Sequence, residues 1–304
     1  MARVGDREFL DSSVLARLSR LTVNARIPMI GTVSGVHRSA HRGSSVEFAE
    51  YRKYVPGDDT RHVDWHVYAR SDRFFVKEFE ADTNLRCYIV LDASGSMSFG
   101  AGGKTKFDYA RRAAATLAYL MMHQGDAVGL LSFAEKTVRD IPPRNAPSHL
   151  KNIFDSLAET RPSGETGIIG TLHDLAEKFK QRGMVIVFSD FFAELPALMD
   201  SFQHMRFRNH DLAVFHLLDR QEIDFRFDRP IRFVDMEGGP AMITDPSIVR
   251  DGYRRELDAY LAGIKKGCEE FAVDYHRVLT DSDYEKVLAE FLLQRTRKEQ
   301  KSAG

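Results

Sequence analysis

Little in this chain suggests covalent stabilisation or a membrane. Cys87 and Cys268 are the only cysteines in 304 residues, too few for a disulfide scaffold or an all-cysteine zinc site. Cys87 falls in a probable strand and Cys268 just before one, so both read as buried free thiols. No window reaches the roughly 18 apolar residues of a membrane span. The opening MARVGDREFLDSS lacks the apolar core of a signal peptide. The expectation is a soluble, cytoplasmic protein. Charge of one sign is not in excess either: 43 Lys and Arg meet 44 Asp and Glu, for a formal net charge of -1. That balance excludes a surface given over wholly to nucleic acid or anionic lipid, while leaving room for a local basic patch. Enzyme signatures are scarce. HExxH and CxxC are missing, Ser94 stands in the wrong frame for a Gly-x-Ser-x-Gly elbow, and Gly100 to Thr105 lacks the glycine spacing of a phosphate loop.

What is present is an ordinary globular composition, 43% apolar and 29% charged, which excludes disorder of the whole chain. The length suits about two domains or one enlarged α/β unit. An opening helix is predicted over residues 9–18, capped by Ser12 or Ser13. Gly31 to Arg42 reads as a basic loop, and Pro56-Gly57-Asp58-Asp59 as a turn. Trp65 to Ala69 gives a short helical turn and Phe74 to Phe79 a strand. Residues 1–84 form an appendage on this reading. Arg52, Lys53, Arg61 and Arg70 accompany Asp58, Asp59, Asp64 and Trp65 there, either as a recognition patch or as a salt-bridged framework with the indole buried against the main domain. His62 and His66 flank Asp64 but lack a third zinc ligand.

The main domain is predicted over residues 85–293. Leu85 to Leu91, Ala127 to Phe133, Met184 to Phe188 and Leu212 to Leu218 are apolar at nearly every position, as strands covered on both faces should be. Lys136 to Asp140 makes a short further strand and Phe271 to Arg277 another. Helices are predicted at Phe107 to His123, with Ala113, Leu117 and Leu120 toward the sheet, and near 148–159, 168–181, 195–206, 247–266 and 283–293. This alternation predicts an α/β fold, a doubly wound, mainly parallel sheet with helices on both faces. The alternating stretch at about 220–240 reads as an inserted hairpin with Pro230 in its bend. Residues 294–304 read as a fraying polar tail.

The chemistry concentrates where strands end. Asp92 closes one buried strand, with Ser94 and Ser96 in the loop after it. Asp190 closes another, and Thr166 lies in the loop before a helix. In an open α/β sheet, ligands bind at the carboxyl ends of strands. Two carboxylates and three hydroxyls are hard oxygen donors, suited to Mg²⁺ or Mn²⁺. The predicted metal site is therefore Asp92, Ser94, Ser96, Thr166 and Asp190. A docking module and a metal-assisted phosphohydrolase or nuclease both use such a site, but no general base accompanies it. Nucleic-acid binding through Arg38 to Arg73 is opposed by the interleaved Glu47, Glu50, Asp58, Asp59, Asp64 and Asp72.

Asp92-x-Ser94-x-Ser96, Thr166 and Asp190 resemble the metal-ion-dependent adhesion site of von Willebrand factor type A domains. That resemblance implies that Ser94, Ser96 and Thr166 hold the ion directly, and Asp92 and Asp190 directly or through water. A longer resemblance covers nearly the whole chain. Gly43, Glu47-Phe48, Arg52-x-Tyr54, Pro56-Gly57-Asp58-Asp59, Arg61, Asp64-Trp65, Ala69-Arg70 and Asp92-x-Ser94-x-Ser96-Met97 are similar to the bacterial family called domain of unknown function 58. This resemblance implies an adaptor for a MoxR-type AAA+ ATPase in protein maturation or assembly, docking on a client or partner that offers an acidic residue. From the residues themselves, the missing general base, the lack of a long apolar run and the interleaved acidic residues lead to the expectation of no catalysis, no membrane span and no nucleic-acid partner. The sequence departs from the pattern at Glu165, where a glycine is common, and at Phe191-Phe192, which follow Asp190 where a glycine is frequent.

Overall fold

The computed structural model describes residues 8–24, 47–54, 64–71, 73–80, 85–100, 104–227, 229, 231–239 and 241–302. The Gly31 to Arg42 loop, the Pro56 to Asp59 turn, Arg61 and His62 lie outside these residues. In chain order the elements are α1 (Ser12–Leu18), β1 (Glu47–Lys53), α2 (Trp65–Ser71), β2 (Phe75–Glu80), β3 (Arg86–Asp92), α3 (Lys106–His123), β4 (Ala127–Phe133) and β5 (Thr137–Arg144). Then follow α4 (Pro147–Glu159), α5 (Ile168–Lys178), β6 (Met184–Ser189), α6 (Leu195–Phe207), β7 (Asp211–Leu218), α7 (Arg220–Asp224), β8 (Ile231–Phe233), β9 (Met242–Thr244), α8 (Pro246–Glu270), β10 (Asp274–Leu279) and α9 (Tyr284–Ser302).

The chain divides into two compact units, Pro28–Leu85 and the remainder, Met1–Ile27 with Arg86–Gly304. The first helix therefore belongs to the main unit and not to an appendage running from residue 1 to 84. Asp11 caps α1, its Oδ1 accepting from the N–H groups of Ser13 at 2.8 Å and Val14 at 3.4 Å. A carboxylate outcompetes the serine hydroxyls expected in that role because it faces the positive end of the helix. Within the smaller unit β1 and β2 pair antiparallel. Trp65 there is 58% exposed. Its ring meets Tyr68 and Phe74 edge-on, and those two rings stack at 4.3 Å.

The main unit is built on a six-stranded sheet of order β10-β7-β6-β3-β4-β5. All neighbours are parallel except β4 and β5. β5 is thus an antiparallel edge, which is where Pro142 and Pro143 are tolerated, since neither can donate to a ladder. β3, β4, β6 and β7 are buried almost throughout, as their unbroken apolar runs require. Tyr88, Val90, Val185, Val187, Leu212 and Val214 face α5, α6 and α8 across one core. The opposite face is covered by α3 and α9, where Phe291 meets Phe215 edge-on. Ala113, Leu117 and Leu120 of α3 are buried as predicted. This is the von Willebrand factor type A-like arrangement, with extra elements.

Three predicted boundaries shift. The inserted segment starts with the short helix α7, set by an Asp219 and Glu222 capping box, so the hairpin itself is only β8 and β9. The last strand begins three residues later than predicted, because Ala272 turns the chain at φ 53. The tail is helical through Ser302 and does not fray at residue 294. Its Gln, Arg, Lys and Glu residues favour helix, and Arg295 fastens it. That guanidinium is 2% exposed and donates to Asp211 at 2.6 Å, with Asp274 at 2.8 Å. Two strands and the last helix are thus tied through one buried cation. Arg295→Ala should leave two buried carboxylates without it and cost about 3–5 kcal/mol, read as a lowered urea midpoint with unchanged slope.

Candidate functional site

The strand order places β3 in the middle, with the chain first running outward to β5 and then returning to β6 beside it. The crevice at the carboxyl ends of β3 and β6 is therefore a topological switch point, the usual ligand position in such sheets. Asp92 ends β3, and Ser189 and Asp190 end β6. Ser189 Oγ donates to Asp92 Oδ2 at 2.6 Å, and the N–H of Ser94 donates to Oδ1 at 2.9 Å. Thr166 Oγ1 reaches the same Oδ2 at 3.3 Å. Ser94 and Ser96 share a hydroxyl hydrogen bond at 3.0 Å. The loops themselves are laced: the N–H of Ser163 donates to the Ala93 carbonyl at 2.8 Å, that of Gly95 to Gly164 at 2.8 Å, and that of Gly167 to Ala134 at 2.7 Å. The five predicted residues therefore meet in one cluster. Its floor, Asp92, Ser94 and Asp190, is fully buried, while Ser96 and Thr166 are half-buried at its mouth.

Sequence reasoning missed the residue that governs the cluster. Lys106, the first residue of α3, is fully buried, and its Nζ lies 2.7 Å from Asp190 Oδ2 and 2.8 Å from Glu222 Oε1. The rings of Phe192 and Phe99 lie 5.1 and 5.8 Å from the ammonium. Burial works to discharge this lysine, but Asp190 and Glu222 outweigh it and hold the ammonium above its ordinary range. A signal was legible: Lys106 lies three, four and seven residues before Tyr109, Ala110 and Ala113, on the buried stripe of α3. It also stands at the helix N-terminus, where a cation opposes the macrodipole and needs a local reason. Ser189, Glu222 and Glu237 carried no comparable signal.

The expectation of a bound Mg²⁺ or Mn²⁺ is overturned. Among the described residues no group of three or more His, Cys, Asp or Glu is arranged to hold a metal ion. Most donors that would have served are committed elsewhere: Asp190 Oδ2 to the Lys106 ammonium, Asp92 to Ser189, Ser94 and Thr166, and the two serine hydroxyls to each other, while Asp190 Oδ1 is buried with no hydrogen-bond partner among the described residues. A divalent cation here would also face a buried positive charge at low dielectric. Glu165 is exposed, so it does not enter the cluster, while the N–H of Thr166 beside it is met by Glu237 Oε2 at 3.3 Å. Phe191 and Phe192 divide the two roles open to them. Phe191 packs in the core at 1% exposure, and Phe192 is 38% exposed at the rim. Phe191 holds a left-handed φ of 52, a conformation that glycine adopts at lower cost. Burial and the Tyr260 hydroxyl, which donates to its carbonyl, hold it there.

With this geometry in view, comparison with known proteins is specific. The model of the family described as "Protein of unknown function DUF58" matches residues 50–260. The chain belongs to this family. Uncharacterized protein Rv1480 of Mycobacterium tuberculosis is 27% identical over 293 residues, 94% of this chain and 91% of that protein. Uncharacterized protein YeaD of Bacillus subtilis is 26% identical over 119 residues, 39% of this chain and 27% of that one. Among solved structures, BatB from Bacteroides thetaiotaomicron superposes with a TM-score of 0.47 at 17% identity, over 70% of this chain and all of that one. An aerotolerance-related membrane protein from Bacteroides fragilis gives 0.46 at 17% identity, over 69% and 100%. In this DUF58 chain no helix of the described residues is long and apolar enough to cross a membrane.

The cluster's electrostatics give three tests. The Asp92 carboxyl is pushed up to about 7, first by its burial and next by Asp190, against the hydrogen bonds from Ser189 and Ser94. A group whose acidity is weakened on folding stabilises the native state at low pH and loses that contribution as pH rises through its folded value. Asp92→Asn cannot ionise, so its stability relative to wild type should climb between about pH 4 and pH 7, read as urea midpoints across that range. Lys106→Met leaves Asp190 and Glu222 uncompensated and should cost about 3–5 kcal/mol. Thermal unfolding of the wild type should coincide in Mg²⁺ and in chelator. A Mg²⁺-dependent rise in its Tm would show that the ammonium is not the site's cation.

Proposed function

We propose that this DUF58 chain is a non-catalytic protein-interaction module, working in the cytoplasm as an adaptor for a MoxR-type AAA+ ATPase in protein maturation or assembly. The carrying observation is what the cluster offers at its mouth. Two half-buried hydroxyls, Ser96 and Thr166, and the Thr166 N–H stand over a buried, lysine-neutralised floor. These groups can orient an incoming polar side chain, but they do not activate a nucleophile. The one short hydroxyl–carboxylate contact on the floor, Ser189 to Asp92, is fully buried and out of a substrate's reach. Family membership and the interaction-type fold support the same reading. The link to the ATPase rests on the resemblance of the sequence to that family's adaptors.

Docking at the switch point would draw orientation from the mouth and affinity from the surface around it, where Phe192 and the exposed hairpin residues lie. No metal takes part in this mechanism. Calorimetric titration of the purified ATPase into wild type and Ser96→Arg tests it. The arginine fills the mouth and takes from the floor only the Ser94–Ser96 hydroxyl contact, leaving the Lys106 ion pairs and the Ser189–Asp92 bond in place, so affinity should fall at least about tenfold, or about 1.4 kcal/mol. Equal affinity for the two proteins would move the docking surface elsewhere on the molecule.

A further inference from the structure

The hairpin β8–β9 carries at its tip Val234-Asp235-Met236-Glu237-Gly238-Gly239, and its local chemistry fixes the turn. Asp235 Oδ1 accepts from the Glu237 N–H at 2.8 Å, a local side-chain bond that closes the bend. Gly238 takes φ 103, and a Cβ on Gly239 would lie 2.2 Å from Asp235 Oδ2. The base is anchored by stacked rings, Phe233 on Phe225 at 5.5 Å and Phe225 on Tyr253 at 4.4 Å. The tip has no such anchor. Val234, Met236, Met242 and Ile243 are all exposed, so apolar burial does little to hold it.

What the tip touches is the mouth of the cluster. The Met236 carbonyl lies so close over Gly95 that a Cβ there would come within 2.0 Å of its oxygen. Beside it, Glu237 Oε2 accepts from the Thr166 N–H, and Oε1 is buried with no hydrogen-bond partner. A carboxylate is therefore seated at the mouth, yet only half satisfied, by one bond of 3.3 Å. An unmet buried oxygen is a penalty that a displaced hairpin would shed. Segments with few buried contacts are also those that open first.

We infer that the hairpin is a built-in competitor: Glu237 occupies the seat for a carboxylate side chain, and an acidic residue of a partner binds by displacing it. This rests on the reading of the cluster as a docking site, and adds the ligand's chemistry and its regulation. A fixed turn on an aromatic base lets the tip lift as a unit. Lifting frees the Thr166 N–H, beside the Ser96 and Thr166 hydroxyls, which stay bonded to Ser94 and Asp92.

The test uses the full chain with N-acetyl-glutamate methylamide as probe and the glutamine analogue as control, followed by the amide resonances of Gly95, Thr166 and Gly167. Glu237→Ala should bind the glutamate probe at least about fivefold more tightly than wild type, with the glutamine analogue binding neither. In the same variant the Thr166 amide should exchange with solvent at least about tenfold faster. Glu237→Gln, which keeps the size and removes the charge, should fall between wild type and alanine. Equal probe affinity in wild type and Glu237→Ala, or glutamine binding as well as glutamate, overturns the seat. The ATPase titration repeated with Glu237→Ala separates the two ideas. A glutamate probe that tightens while the ATPase binds neither protein overturns the adaptor reading and leaves the seat standing. An ATPase that binds without any tightening of the probe does the reverse.

Discussion

The buried ammonium of Lys106 is the constraint on which the rest of this site depends. Three carboxylates, Asp92, Asp190 and Glu222, come from three separate segments into one low-dielectric pocket. Without a cation among them their mutual repulsion would oppose closing the sheet edge. Lys106 meets two of them directly, and the third lowers its own charge by holding its proton more tightly. The lysine thus does structurally what a bound ion does in a metal-dependent site, but it does so covalently attached to the start of α3. Its charge cannot be removed by a chelator. It also cannot extend an open coordination position to a ligand.

Much follows from that attachment. Because Lys106 begins α3, the helix is drawn toward the carboxyl ends of β3 and β6 and cannot slide along the sheet without breaking two ion pairs. Because Glu222 also accepts, through its second oxygen at 2.6 Å, from the Asp219 N–H, the same charge network fixes where α7 leaves β7. From α7 the chain enters the Phe225, Phe233 and Tyr253 stack, and that stack sets where β8 and β9 emerge. The hairpin tip over Gly95 is therefore positioned, two steps removed, by the same ammonium. Site, insertion and helix register share one electrostatic origin.

The sheet and its helices were readable in the sequence because burial on both faces leaves long apolar runs, as in Ile89-Val90-Leu91 and Val185-Ile186-Val187. The convergence of Asp92 and Asp190 was readable for the same reason, since each directly follows such a run. The charge state of the cluster was not. A donor set read residue by residue counts oxygens, and Asp92, Ser94, Ser96, Thr166 and Asp190 are oxygens in plenty. Nothing in that count says which lone pairs are already spent, and here Ser189, Lys106 and the serines themselves spend them. Lys106 was legible only as an oddity of helix periodicity, a cation on an apolar stripe. Glu222 and Glu237 come from an insertion whose short elements follow a capping box and aromatic stacking, not a hydrophobic period. Helix α9 outran its predicted end for a related reason: the partners of Arg295 lie on β7 and β10, far from it in sequence.

A site neutralised from within has a consequence for selectivity. A metal-centred site gains much of its affinity from one strong charge contact and can accept many acidic ligands. Here the mouth offers hydroxyls and one main-chain N–H, whose individual contributions are near 1 kcal/mol, so no single contact dominates. Discrimination must then come from shape and from the exposed apolar residues of the rim, Phe192 on one side and Val234, Met236 and Met242 on the hairpin. Such residues are costly to leave in water unless they are covered part of the time. On the docking reading proposed above, a weak polar seat beside an apolar rim favours a partner that brings both an acidic side chain and a hydrophobic face. A free carboxylate alone would satisfy only the smaller half of that demand, and on the same reading the hairpin's own Glu237 would rest in the seat without closing it permanently.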